Sequence, residues 1–374
     1  MPRPQASGGF LLAAILLLSG CAAQGGDTGG EASDWDAPYD EARAAEQASS
    51  MATYGMPDDW ANYGESFIQF CAVMLPNASD CKRESLGEDM SSADEIAAFD
   101  AEKNNPKAMV ADIGIIFGSV ASAAGVVPTY LPPSAAALPE GLKGAEGGWV
   151  ATFVGVPGFI VNIDFLGEQG IDVPRTWADL AKPEYRGLVG IGQVGSSGTA
   201  TMSFLAMTYA QGGSVEDLQP GIDFAAELRP NIEGVAEGNA DSFERGEVPI
   251  QIKYDFNLIA LASEMETKGV GAEVVIPEDG SIYAASALMI NRYDEARMDA
   301  AKMFSEWVLS DEGQAVFAKF GARPIRYVIG DLELPDEAKD KWLPDEMYES
   351  VQTIDLGSLT IEQVGEAWQQ GVGG

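Results

Sequence analysis

The turn Gly195-Ser196-Ser197-Gly198-Thr199 carries the sharpest chemical signal in this sequence. It lies between a strand-like run at 188–193 and a helix-like run at 200–210. Glycines and hydroxyls at such a junction gather free N–H groups at the positive end of a helix dipole, which suits a carboxylate, phosphonate or phosphate. The same residues would also serve an ordinary surface helix as an N-cap. Tyr254-Asp255-Phe256-Asn257, at the end of the strand-like run 249–254, is the second signal. A carboxylate among aromatics can hold an ammonium by ion pairing and cation–π contact. It can equally cap the helix that starts near Leu258. Tyr54, Gly55, Met56 and Trp60 follow the first strand-like run, and Gly118 and Ser119 follow another. For these aromatics, packing in a core competes with contact to a ligand.

Histidine is absent from all 374 residues. That removes Ser-His-Asp and Cys-His catalysis, histidine zinc sites and the usual pH switch. No serine–lysine arrangement at suitable spacing makes Ser196 or Ser197 a nucleophile. Cysteine occurs at 21, 71 and 81. Cys71 and Cys81, with nine residues between them, can close a small loop, and in an oxidising compartment a disulfide is the favoured reading. Two buried free thiols are the alternative. A catalytic thiol would need an activating base, and none is evident nearby.

The charge balance is strongly acidic, 58 Asp and Glu against 22 Lys and Arg, for a formal net charge of −36. Phosphate-backbone binding relies on clustered Lys and Arg, so nucleic acid is not expected as a partner. The acidity serves solubility and would also concentrate cationic solutes near the surface.

The elements that must position these residues alternate along the chain. A strand at 51–54 leads to a helix expected from Asp58 to Phe70, because Pro57 and the acids after it suit a first helical turn. Ser91-Ser92-Ala93-Asp94 reads as an N-cap, and Asn104-Asn105-Pro106 as the stop of that helix. A strand at 110–117, a Pro- and Gly-rich stretch at 127–148 and an extended run at 149–164 follow. Residues 281–291 are again extended, before a long helical region at 294–320. Strand, small polar turn and helix in repeated order argue for open α/β sheets, in which ligands bind beyond the carboxyl ends of the strands. The N-terminus differs in kind. An apolar run at 10–18 is far too short to span a bilayer and has the length of an export signal. Residues 21–50, rich in Gly, Ala and acids, read as a flexible stalk.

Leu18-Ser19-Gly20-Cys21 resembles the bacterial lipobox, which implies a diacylglycerol on the Cys21 thiol and a mature chain beginning there. The body resembles the two-lobed extracellular solute-binding proteins of bacterial ABC importers, the group with iron(III)-, polyamine- and aminophosphonate-binding members. The residues that carry this are SSADEIAAFDAEKNNP, DIGIIFGSVA, VPRTWADLAKPEYRGLVGI, SSGTATMSFLAMTYAQGG and ALMINRYDEARMDAAKMFSEWVLSDEGQAVFAKFGARPIR. The resemblance implies a periplasmic-binding-protein-like α/β fold of type II, in which each lobe is an open mixed sheet flanked by helices and extended hinges join the two. The implied plan is a signal peptide over 1–20, a stalk over 21–50, lobe 1 over 51–158 and 280–335, lobe 2 over 159–279, and a helical extension over 336–374.

It implies capture of a small polar solute rather than covalent chemistry, with a permease and an ATPase as partners, a lipid-anchored extracytoplasmic location, a monomer, and no cofactor or resident metal. The implied ligand residues are Tyr54, Gly55, Met56, Ser91, Ser92, Gly118 and Ser119 in lobe 1, and Ser196, Ser197, Gly198, Thr199, Tyr254, Asp255 and Asn257 in lobe 2. Tyr283 is a weaker choice. Iron-binding relatives carry adjacent tyrosines where this chain has Lys253-Tyr254-Asp255-Phe256. That departure, with the absence of histidine, counts against iron(III), which stays as the alternative. An anion-type turn opposite an Asp suggests an amine or zwitterion, such as a polyamine or aminoalkylphosphonate. A secreted hydrolase using paired carboxylates is the rival from another class. A sensing co-receptor that feeds no transporter is a third reading.

Overall fold

Two open sheets, built by a chain that passes twice between them, frame the site. The computed structural model describes residues 34–373 except 88, 89, 233, 235 and 358. Cys21 and the expected signal peptide therefore lie outside the described residues.

The chain first lays down β1 (Met51–Tyr54), β2 (Arg83–Leu86), β3 (Val110–Gly114) and β4 (Trp149–Gly155). It crosses at Val156 into β5 (Pro157–Asn162), then β6 (Val189–Gly190), β7 (Ile250–Tyr254) and β8 (Ala272–Val275). It returns through β9 (Ser281–Ile282) into β10 (Ala284–Ile290) and β11 (Arg323–Pro324), and β12 (Val351–Gln352) then pairs parallel with β9. The first lobe holds a six-stranded sheet in the order β11-β4-β10-β3-β1-β2, and the second a four-stranded sheet in the order β6-β7-β5-β8. β1 runs parallel to β2 and β3, whereas the returning β10 runs antiparallel to both β3 and β4. In the second sheet β5 runs antiparallel to β7 and β8 while β6 runs parallel to β7, so both sheets are mixed. β4, β5 and β10 are buried along their whole length, as strands covered on both faces must be.

Several local expectations shift for identifiable reasons. The helix expected from Asp58 starts at Tyr63 and runs to Met74. Ala61 and Asn62 hold left-handed φ values of 45° and 70°, and Arg83 engages the Asp58 carboxylate and the Met56 carbonyl, so residues 55–62 form a loop over β1 and β2. The helical region at 294–320 is two helices, Met298–Trp307 and Asp311–Phe320, because Ser310 caps the second by accepting from Gly313 N–H at 3.1 Å.

The stalk expected over 21–50 needs correcting in its second part. Residues 35–50 are packed, with Trp35, Ala44 and Ala48 buried. The Glu41–Gln47 helix lies on the Met298–Trp307 helix. Asp299 accepts from Asp40 N–H at 3.0 Å and pairs with Arg43 at 2.9 Å. An alanine-rich helix needs little space to dock, which composition alone read as looseness. Cys71 and Cys81 are bonded, their Cα atoms 5.8 Å apart.

Candidate ligand cleft

A cavity of about 290 Å³ lies where the ends of β1, β3 and β7 face one another across the two lobes. The first lobe lines it with Gly55, Pro57, Trp60, Met90, Ser91, Ser92, Glu95, Asp112, Gly114 and Ser286. The second contributes Ser197, Gly198, Thr199, Glu237 and Tyr254.

Each wall follows from local sequence. Ser91 caps the Ser92–Ala101 helix in a capping box with Asp94, and its Oγ donates to Asp94 at 2.7 Å. That cap turns Ser92 inward, where its Oγ accepts Gly114 N–H at 3.1 Å, and it places Glu95 one turn into the helix. Gly55 has φ +60°, and any Cβ there would collide with the Glu95 carboxyl. Glycine thus admits both the backbone turn and the acid. Opposite, Ser197 caps the Gly198–Ala210 helix by accepting Ala200 N–H at 3.3 Å.

The lobes are closed on one another here. A Cβ at Gly114 would stand 2.8 Å from Gly198 Cα, so only hydrogen at both positions allows this approach. Ala93 N–H reaches the Ser196 carbonyl at 3.4 Å across the same seam. Trp60, from the first lobe, sets its ring edge-on against Phe256 of the second at 5.4 Å between centroids.

The electrostatics are acidic. Asp112 is held in place by Trp60 Nε1–H at 2.7 Å and Tyr63 O–H at 2.9 Å. Burial pushes its pKa up to about 7, against the opposing pull of those two donors. Glu95, 1% exposed, is raised well above the usual carboxylate range, first by burial and then by the charges of Asp112 and Asp94. Its Oε2 has no hydrogen-bond partner, and neither has the buried Tyr254 hydroxyl. Burial raises the Tyr254 pKa, while the neighbouring Thr199 hydroxyl pulls it the other way. No lysine or arginine occurs among the described residues that line the cavity. Lys253 lies 3.8 Å from Glu237 and donates to the Gly238 carbonyl at 3.2 Å.

Seven of the fourteen implied ligand residues meet at this cavity, Gly55, Ser91, Ser92, Ser197, Gly198, Thr199 and Tyr254, and Trp60 joins them. The others do not line it. Tyr54 turns away to donate to Glu102 at 2.8 Å, and Met56 is buried in the core. Gly118 packs under the Trp149 ring, and Ser119 is exposed. Ser196 reaches the cleft seam only through its carbonyl, its Oγ lying 3.3 Å from Gln193 O. Asn257 lies one helical turn beyond Tyr254, off the lining.

Asp255 has a structural task instead. Its Oδ1 accepts Val156 N–H and Phe256 N–H, both at 2.9 Å. Its Oδ2 accepts Arg323 at 3.1 Å and Tyr348 O–H at 2.8 Å. Those four bonds tie the first crossover to β11 and to the C-terminal region, and Tyr283 stands beside them on the second crossover. Glu95, Asp112 and Glu237 escaped the sequence reading. Glu95 and Asp112 lie inside the runs SSADEIAAF and VADIG, where an acid reads as a solvated helix face or a strand edge.

A family model described as bacterial extracellular solute-binding protein matches residues 115–350. The chain belongs to that family. An uncharacterized protein of Haemophilus influenzae is 31% identical over 235 residues, covering 60% of this chain and 65% of that one. A probable ABC transporter periplasmic-binding protein of Sinorhizobium fredii is 30% identical over 235 residues, covering 60% and 62%. These alignments take in less than two thirds of either relative's length. Among solved structures, the periplasmic binding protein AfuA of Actinobacillus pleuropneumoniae, with exogenous fructose-6-phosphate bound, has a TM-score of 0.64 at 21% identity. It covers 86% of this chain and 96% of its own. That likeness shows the two-lobed fold. Among the described residues no helix is long and apolar enough to cross a membrane, and no group of three or more acids or cysteines is gathered to hold a metal ion.

Proposed function

We propose that this protein captures a small amine-bearing solute between its lobes and delivers it to an ABC permease. The observation that carries the reading is the pair Glu95 and Asp112, buried in a cleft whose described lining residues include no cation to neutralise them. Buried charges need partners, and a ligand ammonium supplies one. Trp60 and Tyr254 add aromatic rings beside the acids, as cation–π recognition uses. A sugar phosphate of the kind held by the Actinobacillus protein would bring negative charge against these acids. An iron(III) site would need a gathered donor set.

The facing wall of Ser197, Gly198 and Thr199, with the unpartnered Tyr254 hydroxyl, offers donors to a hydroxyl or anionic end of the same molecule. A polyamine or an aminoalkylphosphonate fits both walls. Cavities of about 300 Å³ are at the small end of those used for such ligands.

Because a solute bound only by the closed native form stabilises it by mass action, melting curves test the reading. Putrescine, spermidine, choline, 2-aminoethylphosphonate, fructose-6-phosphate and ferric citrate would form the panel. Amines are expected to raise Tm by several degrees while fructose-6-phosphate and ferric citrate leave it unchanged. A shift confined to the last two would sink the proposal.

Attachment through a lipid on Cys21 is part of the same proposal, since a carrier held at the membrane stays near its permease. Two acyl chains anchor stably where one is marginal. The Cys21→Ser variant is expected in the soluble extracytoplasmic fraction, with the wild type in the membrane fraction on immunoblots of fractionated cells.

A further inference from the structure

Resting on the amine reading, we infer that Glu95 is the anchor for the ligand's cationic group, and that taking up the cation expels a proton from the Glu95–Asp112 pair. The cleft's own side chains pose a problem that a proton solves. Two carboxylates share one cavity, both nearly free of solvent, at 1% and 6% exposure. Asp112 has both oxygens occupied by Trp60 and Tyr63, so it is fixed and cannot turn to water. Among the described residues Glu95 has no such donors, and its Oε2 has no hydrogen-bond partner.

The titratable groups of the cavity and its rim give Glu95 no relief. On its own helix stands Asp94. From β3 comes Asp112, and from the Tyr63–Met74 helix the Tyr63 hydroxyl. From the second lobe come Tyr254 and Glu237. The nearby cations are engaged elsewhere, Arg83 with Asp58 and the Met56 carbonyl, and Lys253 with Glu237 and the Gly238 carbonyl. Gly55, lacking a Cβ, clears the space that the Glu95 carboxyl occupies. Before a cation arrives, the pair therefore keeps an acid proton into the neutral range.

A ligand ammonium arriving at Oε2 makes the carboxylate the stable form. The O–H bond of the acid breaks, its electron pair stays on oxygen, and the proton passes to solvent. No bond of the ligand changes. Bound cation and bound proton thus exclude one another, so affinity rises as pH rises through neutrality and levels off above it.

Titration calorimetry of the full-length mature protein tests this, with putrescine and choline as probes. Both keep their charge between pH 6 and 8, so any proton released comes from the protein. Measured near pH 7 in buffers of different ionisation enthalpy, the heats should show release of between half a proton and one proton per ligand. Affinity should be tighter at pH 8 than at pH 6, as a cation that displaces a proton requires. Glu95→Gln keeps the shape and should abolish most of the release, with affinity at pH 8 lower by about 100-fold. Independently of ligand, wild-type Tm should fall by several degrees from pH 6 to pH 8, and Glu95→Gln should flatten that fall. Binding of the amines with no proton exchange and no pH dependence overturns the inference while leaving the amine reading intact. Failure of every amine to bind overturns that reading, and the anchor role with it. A Glu95→Gln protein that binds and releases protons like the wild type overturns the assignment to Glu95.

Discussion

Asp255 and Asp112 are both buried aspartates near strand ends, yet their surroundings give them opposite tasks. Asp255 is saturated by Arg323, Tyr348 and two backbone N–H groups, which fits a fixed structural charge. Asp255→Asn would leave the Arg323 guanidinium buried without its counter-charge, a loss on the order of 3–5 kcal/mol. The expected result is a Tm lower by several degrees, with cationic and anionic ligands weakened alike in calorimetry. Selective loss of cations would return Asp255 to the ligand site. Asp112 has no cation partner among the described residues. Its folded pKa of about 7 lies above the ordinary 3.8, so the native state binds the extra proton between those values and loses stability as pH rises through that window. The full difference is about 4 kcal/mol above pH 7. Asp112→Asn should therefore gain stability at pH 8 and gain almost none near pH 4, read from urea midpoints. From sequence the two could not be told apart, because what separates them is a partner 68 residues away in Arg323.

At the scale of elements, the closed cleft depends on β3 and the Gly198–Ala210 helix meeting glycine to glycine. Gly198→Ala adds a Cβ 2.9 Å from Gly114 Cα and 3.1 Å from its nitrogen. The helix itself tolerates alanine well. The expected outcome is an unchanged Tm without ligand, an affinity weaker by roughly 10- to 100-fold since 1.4 kcal/mol is tenfold, and a radius of gyration by X-ray scattering that stays large when ligand is added. Normal contraction would show that the seam has room to spare. Much of this level was legible. The strand at Met51–Tyr54, the cap at Ser91 and the helix after Ser197 all announce themselves by turn chemistry and caps, which are local. The two crossovers were visible only as extended runs. Their pairing of β10 between β3 and β4 joins residues more than a hundred positions apart. The packed segment at 35–50 was missed for a related reason. Nothing in its alanine-rich composition says that Asp299 and Gln47 will stitch it to a distant helix.

For the whole molecule, a formal charge of −36 makes the surface a field that draws cations toward an acidic cleft. The association rate for putrescine should then fall with added salt, in stopped-flow measurements, more steeply than for a neutral solute. The fold also assigns its outer segments to different lobes. The Glu41–Gln47 helix rides on the first lobe, through the Met298–Trp307 helix. The Ile361–Val372 helix rides on the second, lying along the Gln219–Ile232 helix with Trp368 edge-on to Phe204 at 5.5 Å. The first and last described helices are therefore two handles on opposite jaws. A donor dye near Glu41 and an acceptor near Gln370 would move with the jaws and touch nothing in the cleft, which makes the protein a ready-built optical sensor for whatever it carries.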